Sequence, residues 1–149
     1  MGKYGERAYE NFHKGYNCSQ SVVLAFQEEL GLPQDTILKI SSGFGGGFGR
    51  MREVCGAFSG ITMVIGALAG NTDPAQKTAT YTRIQQAAAK FKEGNGRRPS
   101  IICKEMLGLE KPEGTPVASE RTPEYYKNRP CADLCRFAAD LAAQELGLE

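Results

Sequence analysis

The sequence predicts an all-α fold, a compact single-domain bundle of six or seven helices with a glycine-rich loop ahead of a buried central helix. Three observations carry this. Apolar residues recur at three- and four-residue spacing in one segment after another, with no persuasive strand alternation. Helix start and stop residues separate these segments at short intervals. Residues 54–69 carry no charge and follow the glycines of "GFGGGFG" at 43–49. At 149 residues one core can bury most of the apolar surface, so a single domain over 1–149 is expected.

The elements follow in order. Residues 3–14 set Tyr4, Ala8 and Phe12 on one face of a first helix. Asn17 is a favourable N-cap for the second, "CSQSVVLAFQEEL", which groups Cys18, Val22, Ala25 and Phe26. Gly31 and Pro33 stop it. "QDTILKISSG" makes a short third helix, and the glycine loop comes next. The central helix is expected from Glu53 to about Gly70. Its uncharged run of sixteen falls short of the roughly 20 apolar residues a membrane span needs, and three internal glycines dilute it further. Gly56 and Gly60 form a small-xxx-small pair that lets another helix come close. "NTDP" supplies a cap and a first-turn Pro74 for the long helix "AQKTATYTRIQQAAAKFKEGNG". Arg97 and Arg98 read as a solvated turn. Pro99 opens a shorter helix, "SIICKEMLG", closed by Gly108. Residues 109–123 contain three prolines and read as a loop or flap. Tyr125 and Tyr126 then pack this loop on the core or cover a pocket, before a last helix from about Pro130 to Leu146.

Charge and composition exclude several classes. Lys plus Arg number 18 against 17 for Asp plus Glu, so nothing in the balance invites nucleic acid or an anionic membrane. His13 is the one histidine, at a polar helix end suited to the surface, which leaves no Ser/His/Asp set. The start "MGKYGERAYENFHKGYN" is polar, without the apolar stretch of a secretory signal, and lacks the Ser or Thr of a myristoylation site. A cytoplasmic protein is therefore expected, where thiols are kept reduced. Five cysteines then need an explanation other than a secreted disulfide framework.

Their positions supply one. Cys18, Cys55, Cys103 and Cys131 all fall near the starts of predicted helices. Helix N-termini carry unpaired N–H groups and the positive dipole end, which favour the thiolate. Arg50 and Arg52 add positive charge beside Cys55, and the glycines let another group approach it. A rival reading makes the loop an anion or cofactor cradle through Gly46, Gly47 and Arg50. Against it, the loop lacks the G-K-[ST] ending of a P-loop and the register of G-x-G-x-x-G, and no strand precedes it. Cys131 and Cys135 lie four apart on one helix face, about 6 Å between Cα atoms. Either both thiols face one pocket, or Cys135 is core one turn behind a reactive Cys131.

Taken together, these residues resemble the C_GCAxxG_C_C family, small proteins named for four cysteines and thought to be redox-active. Cys55-Gly56-Ala57-Phe58-Ser59-Gly60 matches its C-G-A-x-x-G motif. Cys18 in "GYNCSQSV" matches its first cysteine, Cys103 in "IICKEMLG" its third, and Cys131 in "CADLCRFAADLA" its fourth. On that mapping Cys135 takes an aliphatic position and is the extra thiol. The resemblance covers roughly residues 10–145. It implies that four thiols matter without naming a substrate. Members are often encoded beside transporter genes, which implies a transport-linked partner.

Three functions compete. The first is thiol redox chemistry by Cys55, Cys18, Cys131 and Cys103, with Cys55 attacking a small disulfide, a redox partner or an oxidant and Cys18 or Cys131 resolving the intermediate. The second is Zn²⁺ or an iron–sulfur cluster on the same four thiols, although gaps of 36, 47 and 27 residues are unlike the close pairs of a zinc finger. The third is a helical partner-binding module with buried thiols.

Overall fold

The computed structural model describes residues 2–109 and 115–148. Nine helices occur among them, six of at least seven residues, and the strand-like contact is a single antiparallel bridge between Val54 and Ile102. The helices are α1 (Lys3–His13), α2 (Cys18–Leu24), α3 (Gln27–Leu30), α4 (Gln34–Ser41), α5 (Gly56–Ala69), α6 (Lys77–Gly94), α7 (Cys103–Met106), α8 (Pro123–Asn128) and α9 (Cys131–Glu145). The all-α, single-domain expectation stands. None of the described helices is long and apolar enough to cross a membrane.

Local chemistry accounts for most boundaries. Asn17 closes a capping box on α2, its side chain accepting from the Gln20 N–H while the Gln20 side chain accepts from the Asn17 N–H. Gly31 ends α3 in the left-handed region at φ 65°. Asp73 accepts from the Ala75 N–H and Pro74 opens a single 3-10 turn that leads into α6.

Four expectations about the elements need correction. The second helix breaks after Leu24, where Ala25 and Phe26 donate to the carbonyls of Val22 and Val23, one residue tighter than an α-helix. The central helix starts at Gly56, because residues 53–55 are drawn into the bridge with 101–103 instead. For the same reason the helix expected from Pro99 shrinks to α7. Finally α8 is a helix that was not expected, between the 109–123 loop and the last helix. Thr122 caps the Tyr125 N–H and Pro123 occupies the first turn, a start signal legible in "RTPEYYKN". Of the 109–123 loop, residues 110–114 lie outside those described.

The core lies between α1, α2, α5 and α9, with α6 covering one side of α5 and α9. Phe12, Phe26, Ile61, Ile65 and Phe91 are fully buried in it. Tyr4 stacks on Phe26 with ring centroids 4.5 Å apart. The central α5 reaches α2 so closely because Gly56 and Gly60 have no side chains. A Cβ at position 56 would lie 3.0 Å from the Cys18 Cβ, and one at position 60 would lie 2.7 Å from the Val22 Cβ. Val22 is β-branched and fully buried, so it has little room to give.

A matched pair on α5 tests this packing by urea unfolding. Gly60→Ala is expected to destabilise by about 1–3 kcal/mol through overpacking. Gly66→Ala, with nothing within 4 Å of its added methyl, is expected to stabilise by about 0.5–1 kcal/mol.

Candidate functional site

Each of the four cysteines in the predicted site stands at a helix start. Cys18 is the first residue of α2, behind the Asn17 cap. Cys55 is the N-cap of α5. Cys103 opens α7, and Cys131 opens α9 after Pro130. Backbone pairing brings two of these starts together. The Cys55 N–H donates to the Ile101 carbonyl at 2.6 Å, and the Cys103 N–H donates to the Glu53 carbonyl at 2.5 Å. The close approach at Gly56 adds Cys18, and packing of α2 on α9 adds Cys131.

The glycine loop holds this arrangement from below. It curls so that Arg52 and Glu53 donate back to the carbonyls of Gly46 and Gly47, at 3.1 and 3.0 Å. Gly47 sits at φ 75°, and a Cβ there would meet the Glu53 nitrogen at 2.6 Å and the Cys103 Cβ at 2.7 Å. Phe48, Arg50 and Arg52 also adopt the left-handed region, at φ 64°, 64° and 62°. Such conformations cost about 1 kcal/mol each or more and persist only where surrounding bonds enforce them.

The result is a cavity of about 350 Å³ lined by Cys18, Cys55, Cys103 and Cys131 together. Arg50, Arg52 and Arg121 also line it, with Tyr125, Met106 and Leu134 among the apolar contributors. Pro116, Ala118 and Ser119 roof one side. Arginines fasten this strap at both ends. Arg50 donates to the Thr115 carbonyl at 3.1 Å and to Ser119 Oγ at 2.9 Å. Arg121 donates to the carbonyls of Phe12 and Tyr16, at 2.8 and 2.9 Å, and lies 4.0 Å from the Phe12 ring centroid. It thereby caps the C-terminal end of α1 and stacks on Phe12 in its last turn.

Among the other predicted contacts, Gly46 and Arg50 line the cavity, whereas Gly47 packs beneath it against Cys103. His13 is exposed and stacks on Tyr126. Arg97 and Arg98 are exposed in a turn around Asn95. Tyr125 lines the cavity and Tyr126 does not. Cys135 is fully buried and outside the cavity lining, yet it is not inert packing. Its Sγ lies 3.7 Å from the Cys18 carbonyl oxygen, and its thiol is within hydrogen-bonding reach of the Cys18 thiol. Its four-residue spacing from Cys131 was the signal for this.

The electrostatics reverse one expectation. The helix starts and arginines do favour thiolates, but burial outweighs them. Burial pushes the Cys55 thiol up to about 12, against the opposing pull of the backbone N–H groups of Phe58 and Ala57. Cys103 is also raised by burial, opposed by Arg52, whose Nη1 donates to its sulfur at 3.6 Å. The Cys131 thiol is held well above its ordinary value by its hydrogen bond with Cys18 and by burial. At Cys18 the hydrogen bond with Cys131 favours ionisation, but contact with Cys135 and burial win and the value rises. Cys135 is raised by burial as well.

All five thiols are free. Among the described residues no group of three or more His, Cys, Asp or Glu side chains is arranged to hold a metal ion. The four cavity thiols therefore share a space without forming a ready ligand set for Zn²⁺ or a cluster.

A family model described as "Putative redox-active protein (C_GCAxxG_C_C)" matches residues 16–145. The chain belongs to this family. No curated protein and no solved structure matches it. The C_GCAxxG_C_C match runs from just ahead of Cys18 to the end of α9, and so takes in all five cysteines and the glycine loop.

Two expectations follow from this geometry. Folded-state thiol values above the unfolded ones add stability that is complete below about pH 9 and is lost as pH rises towards about 12. Thermal unfolding midpoints should accordingly hold steady from pH 7 to 8 and fall above pH 9. Arg121→Ala should loosen the strap without opening the core. Amide exchange over 115–122 and iodoacetamide labelling of Cys18 and Cys131 should both quicken by about tenfold or more.

Proposed function

We propose that the protein performs thiol–disulfide exchange with a low-molecular-weight disulfide, using the four-cysteine cavity as the reaction chamber. The observation that carries this reading is that thiols far apart in sequence all line one cavity of about 350 Å³. A space of that size suits a small molecule, and the low exposure of Cys55 and Cys103, 5% and 8%, disfavours direct attack on a protein disulfide.

The roles differ from those the sequence suggested. Cys18 and Cys131 are half-buried, line the same cavity and act on each other's acidity, so they are the exchanging pair. A thiolate at one of them attacks a sulfur of the small disulfide and releases one small thiol. The other then attacks the mixed disulfide, releases the second small thiol and closes a Cys18–Cys131 bond. Two protein thiols are oxidised and one disulfide is reduced to two thiols. Cys55, only 5% exposed, is too buried to lead. Cys103 is the cavity thiol whose sulfur accepts from a guanidinium, that of Arg52. A cytoplasmic setting would regenerate the reduced form from its thiol pool. A metal or iron–sulfur centre on the same thiols is less well supported, because no three of them are arranged around an ion.

The experiment is a thiol titration of the reduced protein with hydroxyethyl disulfide. Two thiols per chain should be lost; of Cys18→Ala and Cys131→Ala, the one that removes the attacking thiol should slow the first loss by about a hundredfold, and the other should slow the second. Because both thiols stay protonated at neutral pH, the rate should climb about tenfold per pH unit from 7 to 9 without a plateau. Wild-type rates in both variants would overturn the assignment.

A further inference from the structure

Cys135 has no part in the exchange just described, yet it is placed to join it. It sits one helical turn beyond Cys131 on the same face of α9. Its sulfur is 3.7 Å from the backbone oxygen of Cys18, the residue that shares the cavity lining with Cys131. Cys18 thus lies between two thiols, one lining the cavity and one shut away from it. Cys135 is surrounded by core, with Leu134, Ala138 and Ala139 beside it on α9 buried as well.

We infer that Cys18, Cys131 and Cys135 form an internal relay, in which the Cys18–Cys131 disulfide made in the cavity is passed on to a buried Cys18–Cys135 disulfide. This rests on the thiol-exchange reading above and extends it. The oxidant is the small disulfide already named, and the relay needs no other. In the transfer the Cys135 thiolate attacks the Cys18 sulfur. The Cys18–Cys131 bond breaks, Cys18–Cys135 forms, and Cys131 leaves as thiolate and takes up the proton Cys135 gave. The number of protein disulfides stays at one.

The geometry gives the step a direction. A disulfide carries no donor, so it is at ease among apolar side chains such as those around Cys135. Transfer moves the bond out of the solvent-reached cavity and returns a free thiol to it. The oxidised protein then keeps Cys131, Cys55 and Cys103 reduced around the cavity. Its stored disulfide is shielded from small reductants until the bundle opens.

Peptide mapping decides the matter. The native, reduced wild-type protein is oxidised with hydroxyethyl disulfide, quenched with acid, alkylated in denaturant and digested. The expected linkage is Cys18–Cys135, with Cys131 alkylated. Cys135→Ala should instead trap Cys18–Cys131. This bond should be reduced by added dithiothreitol at least about tenfold faster than the wild-type bond. A stable Cys18–Cys131 linkage in the wild type, with Cys135 alkylated, would overturn the relay and leave the exchange reading intact. Absence of any disulfide among the three would overturn both. The wild-type map stands without the variant, so poor folding of Cys135→Ala would not blunt the test.

Discussion

The cavity depends on a short piece of backbone pairing. The contact between residues 53–55 and 101–103 is the one place among those described where this helical chain makes a strand-like bridge. It fixes the starts of α5 and α7 side by side and so determines that Cys55 and Cys103 share a wall. Two hydrogen bonds alone are modest, about 1 kcal/mol each. The glycine loop reinforces them by threading its carbonyls under Arg52 and Glu53. A side chain at Gly47 would collide with that backbone and with Cys103, which gives the glycine-rich sequence a structural cause.

A second constraint works at the other wall. Close packing of α5 on α2 through Gly56 and Gly60 brings Cys18 against the start of the central helix. The same tight packing that gathers the thiols also removes them from water. Helix N-termini and arginines act on them in the direction that favours anions, and burial acts against it with greater effect. The outcome is a set of protonated thiols, poised by proximity rather than by acidity.

Arg50 and Arg121 connect the strap over residues 115–122 to the glycine loop and to the end of α1. Arg121 is bound by two carbonyls and lies over the rings of Phe12, Tyr125 and Tyr126, which orders a segment of mostly small residues. Arg50 reaches the strap from a left-handed backbone position that orients its side chain across the cavity rim. Both arginines therefore shape the cavity through structure as well as charge.

Sequence pattern alone was enough for the helical class, the glycine stops, the Asn17 cap, the close-packing glycines of α5 and the placing of four cysteines at helix starts. These are local matters, because periodicity, capping and helix-face spacing are written within a few residues. The true starts of α5 and α7 were not legible. Glu53, Val54 and Ser100–Ile102 read as helix by local pattern, and their pairing partner lies nearly fifty residues away. The place of Cys135 was half legible: its spacing from Cys131 is local, but its reach to Cys18 depends on how α9 crosses α2. Thiol acidity was misjudged for the same reason. The dipole at a helix start follows from sequence, whereas the depth of burial that outweighs it is set by which helices close over the site, and only the tertiary structure decides that.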